Sequence, residues 1–290
     1  MDQNSQAVSK VTLPFFLEKK LRGEKITCLT AYDYPTARLV DEAGIDLILV
    51  GDSLGQTVLG YDSTVPVTVE EMLHHVKAVR RGTRRAFLVA DLPYGAYHVG
   101  DEAAVACGVR FLKEGGAEAV KLEGGRKRAG LVRRFIDAEI PVMAHIGLTP
   151  QSIHVMGGYR VQGRTLEAAA ELVADAEALE EAGAFAVVLE GIPRELAARM
   201  THRLRIPTIG IGAGPDCDGQ VLVFHDLVGL SFGSPAKFVR GYANLVETLR
   251  GAFRQYRDDV ARGHYPSDHE SYHWPASLRA DFEKEMAGSV

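Results

Sequence analysis

The chain has 290 residues, of which 46% are apolar and 24% charged, and a formal net charge of −5. That balance suits a globular protein with a large core, and it lacks the basic footprint of a nucleic-acid binder. The three cysteines, Cys28, Cys107 and Cys217, are widely spaced and form no CxxC pair, which points to reduced thiols in a cytosolic setting. No apolar run approaches the ~20 residues that span a bilayer. Residues 1–10 have no apolar signal-peptide core and read as a flexible tail.

One pattern then recurs along the chain. Short apolar runs end in a polar residue or glycine: ITCLTAYD (26–33), DLILVGD (46–52), AFLVADLP (86–93), AVKLEGG (119–125), PVMAHIGL (141–148), AVVLEGI (186–192) and PTIGIGAG (207–214). Between them lie stretches with helical apolar spacing, several closing on glycine as helix C-termini do. Strands apolar on both faces that alternate with helices predict a parallel sheet covered on both sides. Seven such units plus one more predict a closed (β/α)₈ TIM barrel over residues 11–263. Residues 218–229 could be the eighth strand, but we prefer them as the seventh helix, capped by Asp218, with a short eighth strand at 236–242 and the last helix at 244–263. The polar stretch 264–290, with Pro266 and Pro275, reads as a C-terminal tail.

Chemistry concentrates at the strand ends. Alternation groups Asp52 with Ile48 and Val50, Asp91 with Phe87 and Val89, and Lys121 and Glu123 with Ala119. It also groups His145 with Met143, and Glu190 with Ala186 and Val188. The C-terminal ends of barrel strands carry active sites. Alternation alone does not say which face points inward, but outward placement would push several carboxylates into an apolar helix–sheet layer. Any one of these acids could be a helix cap or a loop hydrogen-bonding group. Four acids with one lysine and one histidine in equivalent positions suggest a compensating cation, and all-oxygen donors favour a hard ion such as Mg²⁺.

The strand ends also carry long, unusual strings: VGDSLG, VADLPYGAY, VKLEGG, HIGLTPQSIHVMGGYRVQGR, LEGIP and GAGPDCDGQ. In this order, from about Val11 to His273, the chain resembles the ketopantoate hydroxymethyltransferase (3-methyl-2-oxobutanoate hydroxymethyltransferase) family. The resemblance implies a barrel of the phosphoenolpyruvate/pyruvate superfamily. It further implies transfer of a hydroxymethyl group from the co-substrate 5,10-methylenetetrahydrofolate to 3-methyl-2-oxobutanoate, with Mg²⁺, in pantothenate and coenzyme A biosynthesis. Self-association into a homodecamer is also implied. Carried over by motif, Asp52, Asp91 and Glu123 match metal positions. Asp52, Ser53, Asp91 and Lys121 match positions contacting the oxo acid, with His145 near the substrate, and Glu190 matches the catalytic base.

Other readings are weaker. An isocitrate-lyase or phosphoenolpyruvate-mutase type lyase would carry a loop cysteine in a KKCGH-like string, and none of the three cysteines has that context. A Schiff-base aldolase would need an unprotonated Lys121, which neighbouring Glu123 disfavours. A catalytically silent barrel would not need the full acid set. His269-Glu270-Ser271-Tyr272-His273 matches HExxH, yet it lies in the polar tail between prolines rather than on a packed helix. Gly210, Gly212 and Gly214 do not complete GxGxxG, because Pro215 holds the last position.

Overall fold

Each of the seven apolar runs becomes a strand: β1 (Ile26–Thr30), β2 (Leu47–Val50), β3 (Phe87–Asp91), β4 (Ala119–Glu123), β5 (Val142–Gly147), β6 (Ala186–Glu190) and β7 (Thr208–Ile211). An eighth, β8 (Gly219–Leu222), lies between β7 and β1, and the eight close into a parallel barrel in sequence order. These are the features of a computed structural model that describes residues 9–288. Most of the tail expected at residues 1–10 lies outside the described residues. Lys10 is described, and its ammonium donates to Glu118 at 2.6 Å and to the Ala86 carbonyl at 2.8 Å.

Helices follow β1 to β6 at Tyr34–Glu42, Val69–Gly82, Asp101–Arg110, Ala129–Asp137, Leu166–Glu181 and Arg194–Arg203. Local chemistry starts several of them. Asp33 accepts from the Thr36 amide at 2.8 Å, and Thr68 and Glu71 form a reciprocal capping box, each satisfying an amide that the first helical turn leaves unpaired. Met72, Leu73, Val76 and Val79 recur at helical spacing and are buried against the sheet.

The eighth strand corrects the sequence expectation. Residues 236–242 form no strand, and 218–229 holds β8 and a short helix, Phe224–Leu227, in place of a seventh barrel helix. Asp218 does not cap a helix. Its carboxylate accepts from the Thr208 amide at 2.8 Å, the Thr208 hydroxyl at 3.1 Å and Lys20 Nζ at 2.7 Å, which ties the start of β8 to the start of β7. Gly219 lets the strand pass close to β1: a Cβ there would lie 2.6 Å from the Ile26 carbonyl oxygen.

Two apolar layers result. Cys28, Leu47, Leu49, Phe87, Val89, Ala119, Met143 and Val188 fill the barrel, and Ile48, Val50, Leu88, Ala90, Val120, Leu122 and Val187 face the helices. A helix that the sequence reading did not anticipate, Leu13–Arg22, adds Phe16 to the inner layer. The Phe16 ring stands 5.3 Å from Phe87, at the start of β3, and 5.7 Å from Phe185, just before β6. The N-terminal mouth is thereby covered, and the polar strand ends lie at the opposite mouth.

A separate compact unit begins at Tyr242. Asn244 caps its helix Leu245–Ala261 by accepting from the Glu247 amide, so the stretch expected as the last barrel helix is a helix of this unit. A turn at Asp268–Glu270 and a helix at Ala276–Ala287 follow, with Trp274 edge-on to Phe282 at 4.8 Å. The HExxH string occupies that exposed turn and the extended residues after it.

Candidate active site

Five of the six polar strand-end residues reach the interior by the alternation that the sequence shows. Asp91, Lys121, Glu123, His145 and Glu190 are in register with inward-facing Val89, Ala119, Met143 and Val188. Asp52 arrives differently. Its expected strand mates, Ile48 and Val50, face the helices, so continued alternation would have turned Asp52 outward. The strand ends at Val50, and the turn that follows swings Asp52 and Ser53 into the mouth.

All six, with Ser53, line one cavity of about 280 Å³ at that mouth, together with Tyr159, Phe238 and other apolar residues. A larger cavity of about 500 Å³ lies beside it, bounded by Arg126, Lys127, Glu171 and Asp175. The smaller one is the candidate site, because every buried charge at the strand ends opens onto it.

Lys121 Nζ lies 3.0 Å from Asp91 Oδ1 and 3.2 Å from His145 Nδ1. His145 Nδ1 is 3.4 Å from Glu123 Oε1, and its Nε2 is 3.1 Å from Glu190 Oε2, though without the alignment of a good hydrogen bond. Asp91 Oδ2 accepts from the Asp52 amide at 3.0 Å, whereas Asp91 Oδ1 is buried and accepts no well-aligned hydrogen bond. The Glu190 side chain retains 15% exposure, and those of Glu123 and His145 retain 3% each.

Burial, reinforced by Asp91 and Glu123, pushes the Asp52 carboxyl well above its usual range. Burial also raises Asp91, against the pull of Lys121. Burial alone would favour neutral Lys121, but Asp91, Glu123 and Asp52 overcome it and hold the ammonium protonated, above its usual value. For Glu123 the desolvation is outweighed by His145 and Lys121, which keep it below the usual carboxylate range. Burial and Lys121 disfavour the His145 cation, yet Glu123 and Glu190 raise it to about 9. Four acidic side chains thus share the cavity with Lys121 and His145.

Sequence reasoning passed over Tyr32, Thr64, Tyr97 and Gln151 here. The Tyr32 and Ser53 hydroxyls lie 2.7 Å apart. Thr64 lines the cavity with a buried Oγ1 that has no partner. Gln151 donates to Asp52 Oδ2 at 2.8 Å, and its Oε1 accepts from Tyr97 at 2.5 Å. The strings HIGLTPQ and DLPYGAY contain Gln151 and Tyr97, but nothing local says where either side chain goes.

Comparison with known proteins settles the family. The family model described as ketopantoate hydroxymethyltransferase matches residues 10–268. The chain belongs to the ketopantoate hydroxymethyltransferase family. It is 63% identical over 275 residues to the 3-methyl-2-oxobutanoate hydroxymethyltransferase of Koribacter versatilis, covering 95% of this chain and 93% of that protein. The identity is 56% over 264 residues to the enzyme of the same name from Moorella thermoacetica, covering 91% and 98%. As a member of this family it is an enzyme, a hydroxymethyltransferase working on small molecules.

Solved structures corroborate the barrel. Phosphonopyruvate hydrolase in complex with oxalate and Mg²⁺ superposes with a TM-score of 0.56 at 15% identity, covering 94% of this chain and 95% of that one. 2,3-Dimethylmalate lyase, a member of the PEP mutase/isocitrate lyase superfamily, gives 0.57 at 17% identity, covering 96% and 98%. Identities this low speak to the fold alone. Among the described residues no helix is long and apolar enough to cross a membrane.

Proposed function

We propose that this hydroxymethyltransferase moves the one-carbon unit of 5,10-methylenetetrahydrofolate onto C3 of 3-methyl-2-oxobutanoate, giving 2-dehydropantoate and tetrahydrofolate on the route to pantothenate and coenzyme A. The observation that carries this reading is the layout of charge. Asp52, Asp91, Glu123 and Lys121 gather on β2 to β4 or just beyond, and Glu190 ends β6, which stands opposite β2 in the eight-membered ring.

The donor set fits Mg²⁺. It offers only oxygen donors and an excess of buried negative charge, with the Lys121 ammonium set among the four acids and paired to Asp91 Oδ1 at 3.0 Å. Among the described residues no three side chains already converge as a closed metal cage. Mg²⁺ does not require one, since it commonly keeps waters and takes one or two carboxylates plus the substrate. Asp52, Asp91 and Glu123 are the residues that would hold it, and when bound it supplies Lewis-acid charge opposite the oxygen of a 2-oxo acid.

The protein's own groups account for the rest of the reaction. Glu190 takes the proton from C3, and the electron pair moves toward the C2 ketone oxygen to form an enolate. Lys121 and Ser53 bind the oxo acid, with the ammonium offsetting negative charge on it. His145 lies between Lys121 and Glu190 and holds the two ends of the site in register. The folate methylene is bonded to two nitrogens, and both of those bonds break: its carbon gains a bond to the enolate carbon and the hydroxyl of a water, while the two nitrogens take up the proton removed from C3 and the other proton of that water.

The same reading includes a cytosolic enzyme built as a single catalytic barrel, self-associated into a homodecamer, which light scattering measures directly. The reaction is tested by mixing protein, Mg²⁺, 3-methyl-2-oxobutanoate and 5,10-methylenetetrahydrofolate. 2-Dehydropantoate should form, and its formation should stop when folate is omitted or the metal is chelated. Full turnover after chelation overturns the metal assignment, and turnover without folate overturns the donor.

A further inference from the structure

The acids of the site are held from behind, and one neutral residue holds two of them. Gln151 is 4% exposed and follows β5 in the turn Pro150–Ser152. Its backbone amide donates to Glu123 Oε2 at 3.0 Å. Its side-chain Nε2 donates to Asp52 Oδ2 at 2.8 Å and to the Leu92 carbonyl at 3.0 Å, and its Oε1 accepts from the Tyr97 hydroxyl at 2.5 Å. The same Tyr97 oxygen accepts from the Glu123 amide at 3.1 Å.

Chemistry fixes the orientation of this amide. A carboxylate oxygen and a carbonyl can only accept, so the NH₂ must face Asp52 and Leu92, and the carbonyl end must face the one hydroxyl donor. Each of the three acids therefore has one oxygen committed to a fixed donor: Asp52 Oδ2 to Gln151, Glu123 Oε2 to the Gln151 amide, and Asp91 Oδ2 to the Asp52 amide. The second oxygen of Asp91 is ion-paired with Lys121 Nζ at 3.0 Å, and that of Glu123 has His145 Nδ1 at 3.4 Å as its recorded partner, so the Gln151 contacts leave the second oxygens of Asp52 and Glu123 directed to the site.

We propose that Gln151, itself fixed by Tyr97, is a positioning residue that presents one oxygen of Asp52 and one of Glu123 to a divalent cation. This rests on the Mg²⁺ reading above. A small cation that demands near-octahedral geometry gains from carboxylates that cannot rotate, and groups that hydrogen-bond to metal ligands set affinity as well as the ligands do. A contact that only braced the loops would stabilise the fold and leave cation affinity alone.

The test uses Mn²⁺ as a paramagnetic stand-in, with free Mn²⁺ read by electron paramagnetic resonance in protein without substrate. Gln151→Met preserves length and removes the donor. Tyr97→Phe leaves Gln151 in place and removes the hydroxyl that braces its Oε1 and the Glu123 amide. Gln151→Met should bind Mn²⁺ roughly 10- to 100-fold more weakly than the unmodified chain, with Tyr97→Phe shifted in the same direction. A Gln151→Met titration that overlays the unmodified one, even with a lower melting temperature, overturns the proposal and leaves the metal reading standing. If Gln151→Met does not fold, Tyr97→Phe decides, and unchanged affinity there overturns the proposal. If the unmodified chain binds no Mn²⁺, the metal reading fails and this inference fails with it.

Discussion

His145 Nε2 lies 3.1 Å from Glu190 Oε2, across neighbouring strands β5 and β6. The imidazole sits at 3% exposure between this carboxylate and the Lys121 ammonium, so it connects the proposed base to the residues proposed to bind the oxo acid. His145→Asn should keep the fold, lower kcat and raise KM. The hydrogen bond at stake is the one between His145 Nδ1 and the Lys121 ammonium at 3.2 Å, and a hydrogen bond to a charged group is worth about 1.5–3 kcal/mol, which sets a combined loss in kcat/KM of roughly 10- to 100-fold. Steady-state kinetics at saturating folate would measure it, and parental kcat and KM in the variant would refute the link.

Lys121 is held protonated by Asp91, Glu123 and Asp52, so it should act as a charge and not as a nucleophile. Treatment with 3-methyl-2-oxobutanoate and borohydride should leave the mass of the protein unchanged. A trapped adduct on Lys121 would move the chemistry to a Schiff-base route.

Gly147 closes β5 at φ +94°, where a Cβ would stand 2.2 Å from the Glu190 carbonyl oxygen. The obstruction is backbone and cannot rotate away. Gly147→Ala should cost roughly 2–4 kcal/mol, from the left-handed conformation and the overlap together. It should also lower kcat in the molecules that remain folded, because the displaced segment carries Glu190. Urea unfolding with parallel assays would report both, and an alanine variant with parental stability would contradict the packing.

Asp41 illustrates an acid with a purely architectural part. Its buried carboxylate accepts from the amides of Arg84, Arg85 and Ala86 at 3.0, 3.0 and 2.7 Å, at the entry to β3 and far along the strand from Asp91. Asp41→Ala would strand those amides and should cost about 3 kcal/mol while kcat per folded molecule stays constant. Thermal unfolding checks the first claim, and active-site titration with kinetics checks the second.

Seven strands were readable because parallel strands buried on both faces are continuous apolar runs, and helix-patterned stretches separate them. β8 was only one of two readings of its stretch, and the less favoured, since it has four residues, includes Gly219 and exposed Gln220, and runs into a stretch with helical spacing. What makes it a strand is its pairing with Ile26–Leu29 and Ile209–Gly210, which is distant in sequence. Asp91, Lys121, Glu123, His145 and Glu190 were readable from alternation. Asp52 reaches the same cavity through a turn that alternation cannot describe. Gln151 was invisible for a related reason: its amide serves a carboxylate 99 positions away, and only closure of the barrel brings them together.

The central claim is that Glu190 removes the C3 proton, and exchange of that proton isolates the step. Protein, Mg²⁺ and 3-methyl-2-oxobutanoate in heavy water, with no folate, should replace the C3 hydrogen by deuterium, followed by proton NMR. Glu190→Gln keeps the shape and cannot accept the proton, so exchange should fall by roughly 10²- to 10⁴-fold. Binding of Mn²⁺ should change little, because Asp52, Asp91 and Glu123 belong to other strands and their turns. Exchange at the parental rate in Glu190→Gln would contradict the account and transfer the role of base to His145.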